Sequence, residues 1–257
     1  MKITFLGSGT SAGVPMIACE CEVCRSTDSR DKRYRAAVLV EAKGRVLVID
    51  TGPDFRNQML ENQVKRLDGI LITHSHKDHV AGLDDVRAFN FSMDQPMEVY
   101  ATEASQQQLK REFEYVFSGF QYPGIPQINL HTIDTEPFEA AGMPVVPIKV
   151  MHYKLPVLGF RIGNFAYITD ANYIAPEEIE KIKGVDVLVL NALRHEKHIS
   201  HFTLQEAIEV AQECGAKQTY FTHISHQLGL HAEIDPQLPA GINLAYDRLS
   251  IEIEDTF

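Results

Sequence analysis

Leu67-Asp68-Gly69-Ile70-Leu71-Ile72-Thr73 runs directly into His74-Ser75-His76-Lys77-Asp78-His79. The first part reads as a buried β-strand, a short apolar run of strand length that stops at a polar turn. The second part places three imidazoles and a carboxylate in one loop. A strand ending in such a loop presents those side chains together at a sheet edge. Imidazole nitrogens and carboxylate oxygens suit zinc, manganese or iron. The plainer alternative, a polar loop of solvated histidines, does not account for so many metal-competent groups in so short a span.

Outward from this loop the same pattern recurs. Strand-like runs at 145–151, 165–169 and 218–222 end at His152, Asp170 and His223. Residues 36–41 and 45–49 flank Ala42-Lys43-Gly44 as a hairpin, and 159–162 and 165–169 flank Gly163-Asn164 as a second. Helical spacing marks 54–64 and 82–91; Thr102 is an N-cap for a helix running to about 117, and Pro176 opens another to about 182. Thr203-Leu204-Gln205-Glu206 is a capping box whose helix ends near Gly215. The N-terminal run 1–9 reads as a short strand followed by a Gly-rich turn, and residues 98–101, 185–190 and 249–253 complete the strands. The pattern predicts an α/β (α+β) chain with two mixed sheets packed face to face and helices outside. It predicts a single domain over 1–257, with no linker and no repeat. Residues 120–126 (Phe-Gln-Tyr-Pro-Gly-Ile-Pro) read equally as a lid over a site and as a connection.

With 257 residues and 44% hydrophobic content, the chain can bury a large core. Its formal net charge of −11 opposes broad non-specific binding of nucleic acid. The N-terminus lacks the apolar segment of a signal peptide, and no apolar run is long enough to span a membrane, so a cytoplasmic location is expected. Cys19, Cys21 and Cys24 form a cluster, which in a reducing compartment points to metal rather than to disulfides. A reactive redox cluster is the rival reading. Cys214, inside a helical stretch, reads as a small buried apolar residue.

His74-x-His76-x-Asp78-His79, followed by His152, Asp170 and His223 in that order, resembles the metallo-β-lactamase superfamily. Val48-Ile49-Asp50-Thr51-Gly52 is similar to the strand that carries its supporting aspartate. The resemblance implies a four-layer αββα sandwich and two divalent cations, zinc or manganese, with iron or nickel also compatible. By position it implies that His74, His76 and His152 hold one cation and that Asp78, His79 and His223 hold the other. Asp170 would bridge the two, and Asp50 would orient a ligand imidazole. Lys77 occupies a place where oxygen-reducing di-iron members carry an acidic ligand, which favours hydrolysis.

The run Cys19-x-Cys21-x-x-Cys24 together with His223-Ile224-Ser225-His226 narrows the resemblance to PhnP-like phosphodiesterases. It implies a structural zinc in the 19–24 loop, held by Cys19, Cys21, Cys24 and His226. It also implies hydrolysis of small cyclic sugar or nucleotide phosphodiesters by a metal-bridging hydroxide, with catalytic roles for Asp78 and for His201 as acid or charge stabiliser. His198 is the alternative acid or a support for His201, and His195 reads as surface. His131 has no assigned role, and His231 is a weak pocket residue. Gly82-Leu83-Asp84-Asp85-Val86-Arg87 belongs to the same resemblance; Arg87 either binds phosphate or pairs with Asp84. A homodimer is implied as well. The rivals are a transfer RNA 3′-processing endonuclease, a pyrroloquinoline-quinone biosynthesis B-type protein and a non-catalytic zinc-stabilised binding module.

Overall fold

A computed structural model describes residues 1–119 and 122–257. The first sheet begins with β1 (Lys2–Gly7), β2 (Ala37–Ala42), β3 (Arg45–Ile49), β4 (Gly69–Leu71), β5 (Met97–Ala101) and β6 (Ile128–Thr132). Among the described residues its connections hold α1 (Glu22–Arg25), α2 (Phe55–Glu61), α3 (Lys77–Val80), α4 (Arg87–Met93), α5 (Glu103–Glu112) and α6 (Glu114–Phe117). The second sheet holds β7 (Phe138–Ala140), β8 (Met143–His152), β9 (Leu155–Ile162), β10 (Phe165–Tyr167), β11 (Tyr173–Ile174), β12 (Val187–Asn191), β13 (Gln218–Thr222) and β14 (Ile242–Leu244). Helices α7 (Pro176–Glu180), α8 (Leu204–Cys214) and α9 (His231–Ile234) connect its later strands, and β15 (Ser250–Glu252) returns to pair with β1.

Strand orders are β15-β1-β2-β3-β4-β5-β6 and β11-β8-β9-β10-β12-β13-β14, with β7 beside β8. Each sheet is antiparallel at one side and parallel at the other: β3, β4, β5 and β6 run parallel, as do β10, β12, β13 and β14. The ends of parallel strands therefore lie together, the usual place for a ligand site in such sheets.

Alternation of side chains builds the layers. In β2, Val38 and Val40 face the second sheet with Ile49, Phe160, Phe165 and Tyr167, while Ala37 and Leu39 face the helices with Phe55, Met59 and Leu83. The second sheet repeats this on its outer face, where Ile148, Leu188 and Leu190 meet Ile179, Leu204 and Ala207. Both faces of each sheet are covered, which is why its strands read as nearly continuous apolar runs. Truncating a central residue such as Leu47, fully buried between the sheets, costs about 2–5 kcal/mol.

Two glycines let the His-rich loop dock. A Cβ on Gly52 would lie 2.1 Å from the Asp78 carbonyl oxygen, and one on Gly82 would lie 2.2 Å from the Gly52 carbonyl oxygen. The close approach is locked by Thr51 N–H donating to His79 O (2.7 Å) and Gly82 N–H donating to Thr51 O (2.9 Å).

The structure departs from the sequence expectations in three places. The helix expected from Thr102 to about 117 is divided at Phe113, whose backbone leaves the helical region. The second hairpin includes residues 155–158, hidden by Pro156, a poor strand residue; Pro156 pairs with Met151 before β10 joins the sheet. Strands β6, β7, β11 and β14 were not expected; β7 and β14 are three residues each and β11 is two. The question over 120–126 falls partly on Phe120 and Gln121, outside the described residues. No helix among the described residues is long and apolar enough to cross a membrane.

Candidate metal centre

His74, His76, Asp78 and His79 occupy the turn after β4, and α3 begins at Lys77. His152 ends β8, Asp170 follows β10, His223 follows β13, and Asp50 follows β3. Asp50, Asp170 and His223 adopt φ of +68°, +57° and +55°. Left-handed backbone at a non-glycine residue is costly and concentrates at functional sites. Here it follows the end of each strand, at a donor or at the aspartate that supports one.

The seven expected donors converge. His74, His76 and His152 offer nitrogens within 4.8 Å of one another, as do the donor atoms of Asp78, His79, Asp170 and His223. His79 Nε2 lies 3.2 Å from both Asp78 Oδ2 and Asp170 Oδ2, and His223 Nε2 lies 3.3 Å from Asp170 Oδ1. Asp170 therefore sits among the second group and also joins His152 and His201 in a third.

Supporting bonds orient the rings. Asp50, fully buried, accepts from Thr73 N–H (2.9 Å) and Thr73 Oγ1 (2.8 Å), and its other contact is His79 Nδ1 at 2.7 Å. That bond aims His79 Nε2 at the carboxylates. His152 Nδ1 lies 2.9 Å from the Ser200 carbonyl oxygen, which can only accept, so this nitrogen carries the proton and Nε2 is left free. Asn191 clamps the backbone beside Asp170 by accepting from Ala171 N–H (2.7 Å) and donating to Ala171 O (2.9 Å).

The charges are strongly coupled. Burial would raise the Asp170 carboxyl, but His223 and His79 hold it well below the usual range. Burial would lower His79, but Asp170, Asp50 and Asp78 pull it well above the ordinary histidine value. His201 is pushed down to about 3 by burial, aided by His223. The buried Nε2 atoms of His74, His79 and His223 have no hydrogen-bond partner among the described residues. Unpaired buried lone pairs cost about 1–3 kcal/mol each, so their convergence fits cations, and imidazole with carboxylate is a suitable donor set.

His201 packs within the cluster, its ring centroid 4.8 Å from that of His152 and 4.7 Å from that of His223. His198 stands beside it, centroids 5.0 Å apart, with Nδ1 accepting from Ser200 N–H at 3.3 Å. Arg87 reaches Asp84 at 3.2 Å, the pairing alternative raised for it above. His195 is exposed, and His131 pairs with Glu98 on the first sheet. His231 is buried elsewhere, 3.2 Å from Arg33 Nη2, so it lines no pocket with the cluster.

A second cluster gathers Cys19, Cys21, Cys24 and His226. Cys19 Sγ and Cys21 Sγ lie 3.4 and 3.3 Å from His226 Nδ1. His226 lowers the Cys21 thiol to about 6, whereas burial raises Cys24 to about 11. Cys214 is buried in α8.

Thr73, Ser200 and Asn191 were not singled out in the sequence. Asn191 left a signal, a lone polar residue closing an otherwise apolar strand. Ser200 acts through its backbone, which residue type cannot reveal.

The profile described as Beta-lactamase superfamily domain matches residues 45–224, from β3 to just past His223. The chain belongs to the beta-lactamase superfamily. A solved structure named a new diphosphatase from the PhnP family superposes with a TM-score of 0.93 at 42% identity, covering 99% of this chain and 98% of that one. Zinc-bound PqqB from Methylobacterium extorquens shares the fold, with a TM-score of 0.79 at 19% identity, covering 98% of this chain and 100% of that one. An octanoyltransferase of Porphyromonas gingivalis is 40% identical over 99% of this chain, which spans only 52% of that relative's length. A ribonuclease Z of Acaryochloris marina is 26% identical, covering 88% of this chain and 86% of that one. The chain thus has the metallo-β-lactamase fold, and the fold implies divalent metal ions at the His/Asp clusters.

Proposed function

We propose that this chain hydrolyses small phosphoric esters, cleaving a phosphodiester or diphosphate linkage with water. The observation that carries the reading is the gathering of seven imidazole and carboxylate donors into two groups, with the Nε2 atoms of His74, His79 and His223 buried and unpaired among the described residues. His74, His76 and His152 would hold one divalent cation, Asp78, His79 and His223 a second, and Asp170 would serve both. Such cations, when bound, supply Lewis acidity towards phosphoryl oxygens and lower the pKa of water. Asp50 and Ser200 hold His79 and His152 in the tautomers that leave Nε2 free. As the new P–O bond to water forms and the ester bond breaks, the proton lost by the water passes to the departing oxygen, and His201, a neutral imidazole, stabilises the charge developing there through its N–H. The capping box at Thr203 and Glu206, two residues beyond, anchors His201. The Cys19, Cys21, Cys24 and His226 cluster would hold a structural zinc.

The likeness to an octanoyltransferase does not extend the proposal to acyl transfer. The match spans about half of that relative, and the converging side chains are imidazoles and carboxylates. The net charge of −11 favours a small diester over transfer RNA. The homodimer implied by the resemblance belongs to the proposal and is testable by light scattering.

The test is turnover of bis(p-nitrophenyl) phosphate by protein loaded with zinc or manganese. His76→Ala should abolish it, and His201→Ala should lower kcat roughly 10²- to 10⁴-fold. No turnover with any metal would overturn the proposal and favour a zinc-stabilised binding module.

A further inference from the structure

The Cys19, Cys21, Cys24 and His226 cluster lies at the surface, although a zinc that only props the fold needs no access to solvent. Cys21 is exposed, Cys19 is half-buried and Cys24 is buried. Residues 15–18, 20 and 22 around them are exposed, and Ile17 reaches 91%. Thiolates that solvent can reach are the reactive ones, and cysteines buried in apolar surroundings stay inert. Cys214, buried in α8, is of the inert kind. Cys21 and Cys24 are also paired in space. Cys21 immediately precedes α1, and its Sγ accepts from Cys24 N–H at 3.5 Å. The three sulfurs and a His226 ring nitrogen all lie within 4.8 Å of one another. Closing Cys21 and Cys24 to an S–S bond of about 2 Å therefore takes side-chain rotation rather than unfolding. A sulfur open to water beside a second one kept from it suits an attacking and a resolving thiol.

One segment joins this cluster to the metal centre. Residues 223–228 carry both His223 and His226. Gln227 Oε1 accepts from Arg194 Nη1 (2.7 Å), Leu228 O accepts from His195 Nε2 (3.0 Å), and Ser225 N–H donates to Leu193 O (3.0 Å). These bonds hold the start of the 193–201 stretch, at whose end His201 packs against His152 and His223. Freeing His226 from the cysteines thus loosens two parts of the centre together. His223 is affected from within its own segment, and His201 through the residues that lead to it.

We propose that Cys21 is a site of oxidation by hydrogen peroxide with Cys24 as its resolving partner, and that the resulting disulfide empties the zinc site and disables the metal centre. Cys21 Sγ attacks one peroxide oxygen as a thiolate. An S–O bond forms, the O–O bond breaks, and the departing hydroxide takes a proton to become water. Cys24 Sγ, also as a thiolate, then attacks the Cys21 sulfur. The S–S bond forms, the S–O bond breaks, and the hydroxide that leaves takes a second proton. Two thiolates have given up two electrons, and one peroxide has become two waters. Two of the four donors are thereby lost to zinc, which departs as Zn²⁺ with its charge unchanged. Zinc binding and redox reactivity, rival accounts of these cysteines from sequence, become two states of one site. The oxidation itself is independent of the hydrolase reading; only its effect on turnover rests on that reading.

The test treats full-length protein, with zinc at the cysteines and manganese at the His/Asp cluster, with hydrogen peroxide. Zinc is read by elemental analysis after desalting, free thiols by titration of the denatured chain, and the bond by peptide mass mapping. One zinc should leave for every two thiols lost, with Cys21 joined to Cys24 and Cys214 still reduced. Cys214→Ala should give the same stoichiometry. Turnover of bis(p-nitrophenyl) phosphate should fall roughly tenfold or more and return after reduction with zinc present. Zinc retained with Cys21 oxidised no faster than Cys214 would overturn the reactive site, and a bond from Cys21 to Cys19 would overturn the role of Cys24. Zinc release with turnover unchanged would overturn the link to the metal centre. A protein with no turnover before peroxide counts against the hydrolase reading alone, because zinc content and mass mapping still decide the oxidation.

Discussion

Asp50→Asn isolates the role of one buried oxygen. Asparagine keeps the shape of the side chain, and its Oδ1 can still accept from Thr73 N–H, now 2.9 Å away. Its amide nitrogen replaces the oxygen that faces His79 Nδ1 at 2.7 Å and Thr73 Oγ1 at 2.8 Å. The threonine hydroxyl can rotate and accept. The imidazole must move its proton from Nδ1 to Nε2, the atom 3.2 Å from Asp78 and Asp170. One donor is thereby lost from the group that would hold the second cation. Outer supports of this kind are worth 10- to 100-fold in metal affinity, which is about 1.4–2.7 kcal/mol. Folding should not suffer in parallel, because a buried carboxylate carries a desolvation cost that the amide avoids. The assay is chelator competition with metal analysis, set beside thermal melting of the metal-free protein. Weaker retention of one cation with an unchanged melting temperature is expected. Metal affinity within threefold of wild type would refute the reasoning that Asp50 sets the His79 tautomer.

Three further outcomes follow from other parts of the structure. Cys21→Ser should lower the zinc content by one per chain and loosen the loop that carries Cys19 and Cys24; unchanged zinc by elemental analysis would remove that site. Thr203→Ala deletes the hydroxyl that accepts from Glu206 N–H (3.2 Å), and should cost about 1 kcal/mol in a denaturant titration, within the 0.5–2 kcal/mol range of such caps. Burial pushes the Asp247 carboxyl up to about 6 from an ordinary value of 3.8. The native chain therefore holds that proton more tightly, so the contribution is complete below about pH 4 and is lost as pH rises through about 6, roughly 3 kcal/mol in all. Asp247→Asn should flatten the fall in stability between pH 4.5 and 7, and an identical slope in variant and wild type would count against it.

The strands covered on both faces were legible because two-sided burial leaves long apolar runs, as in residues 36–41 and 185–190. The capping box at Thr203 was legible because the partner lies three residues away in sequence. The cluster was legible because its donors are chemically rare side chains set at strand ends. What could not be read were the groups that aim those donors. Thr73 is an ordinary hydroxyl, Ser200 acts through its carbonyl, and the Asn191 amide reads only as a lone polar residue at a strand end. Asp50, Asp170 and His223 share a left-handed backbone. Glycine would relieve the strain at all three positions but would remove a ligand or its support. Side-chain chemistry has therefore overridden backbone preference at those strand ends, and the close-packed turn of Gly52 and Gly82 around Asp78 and His79 keeps the neighbouring loop from relaxing.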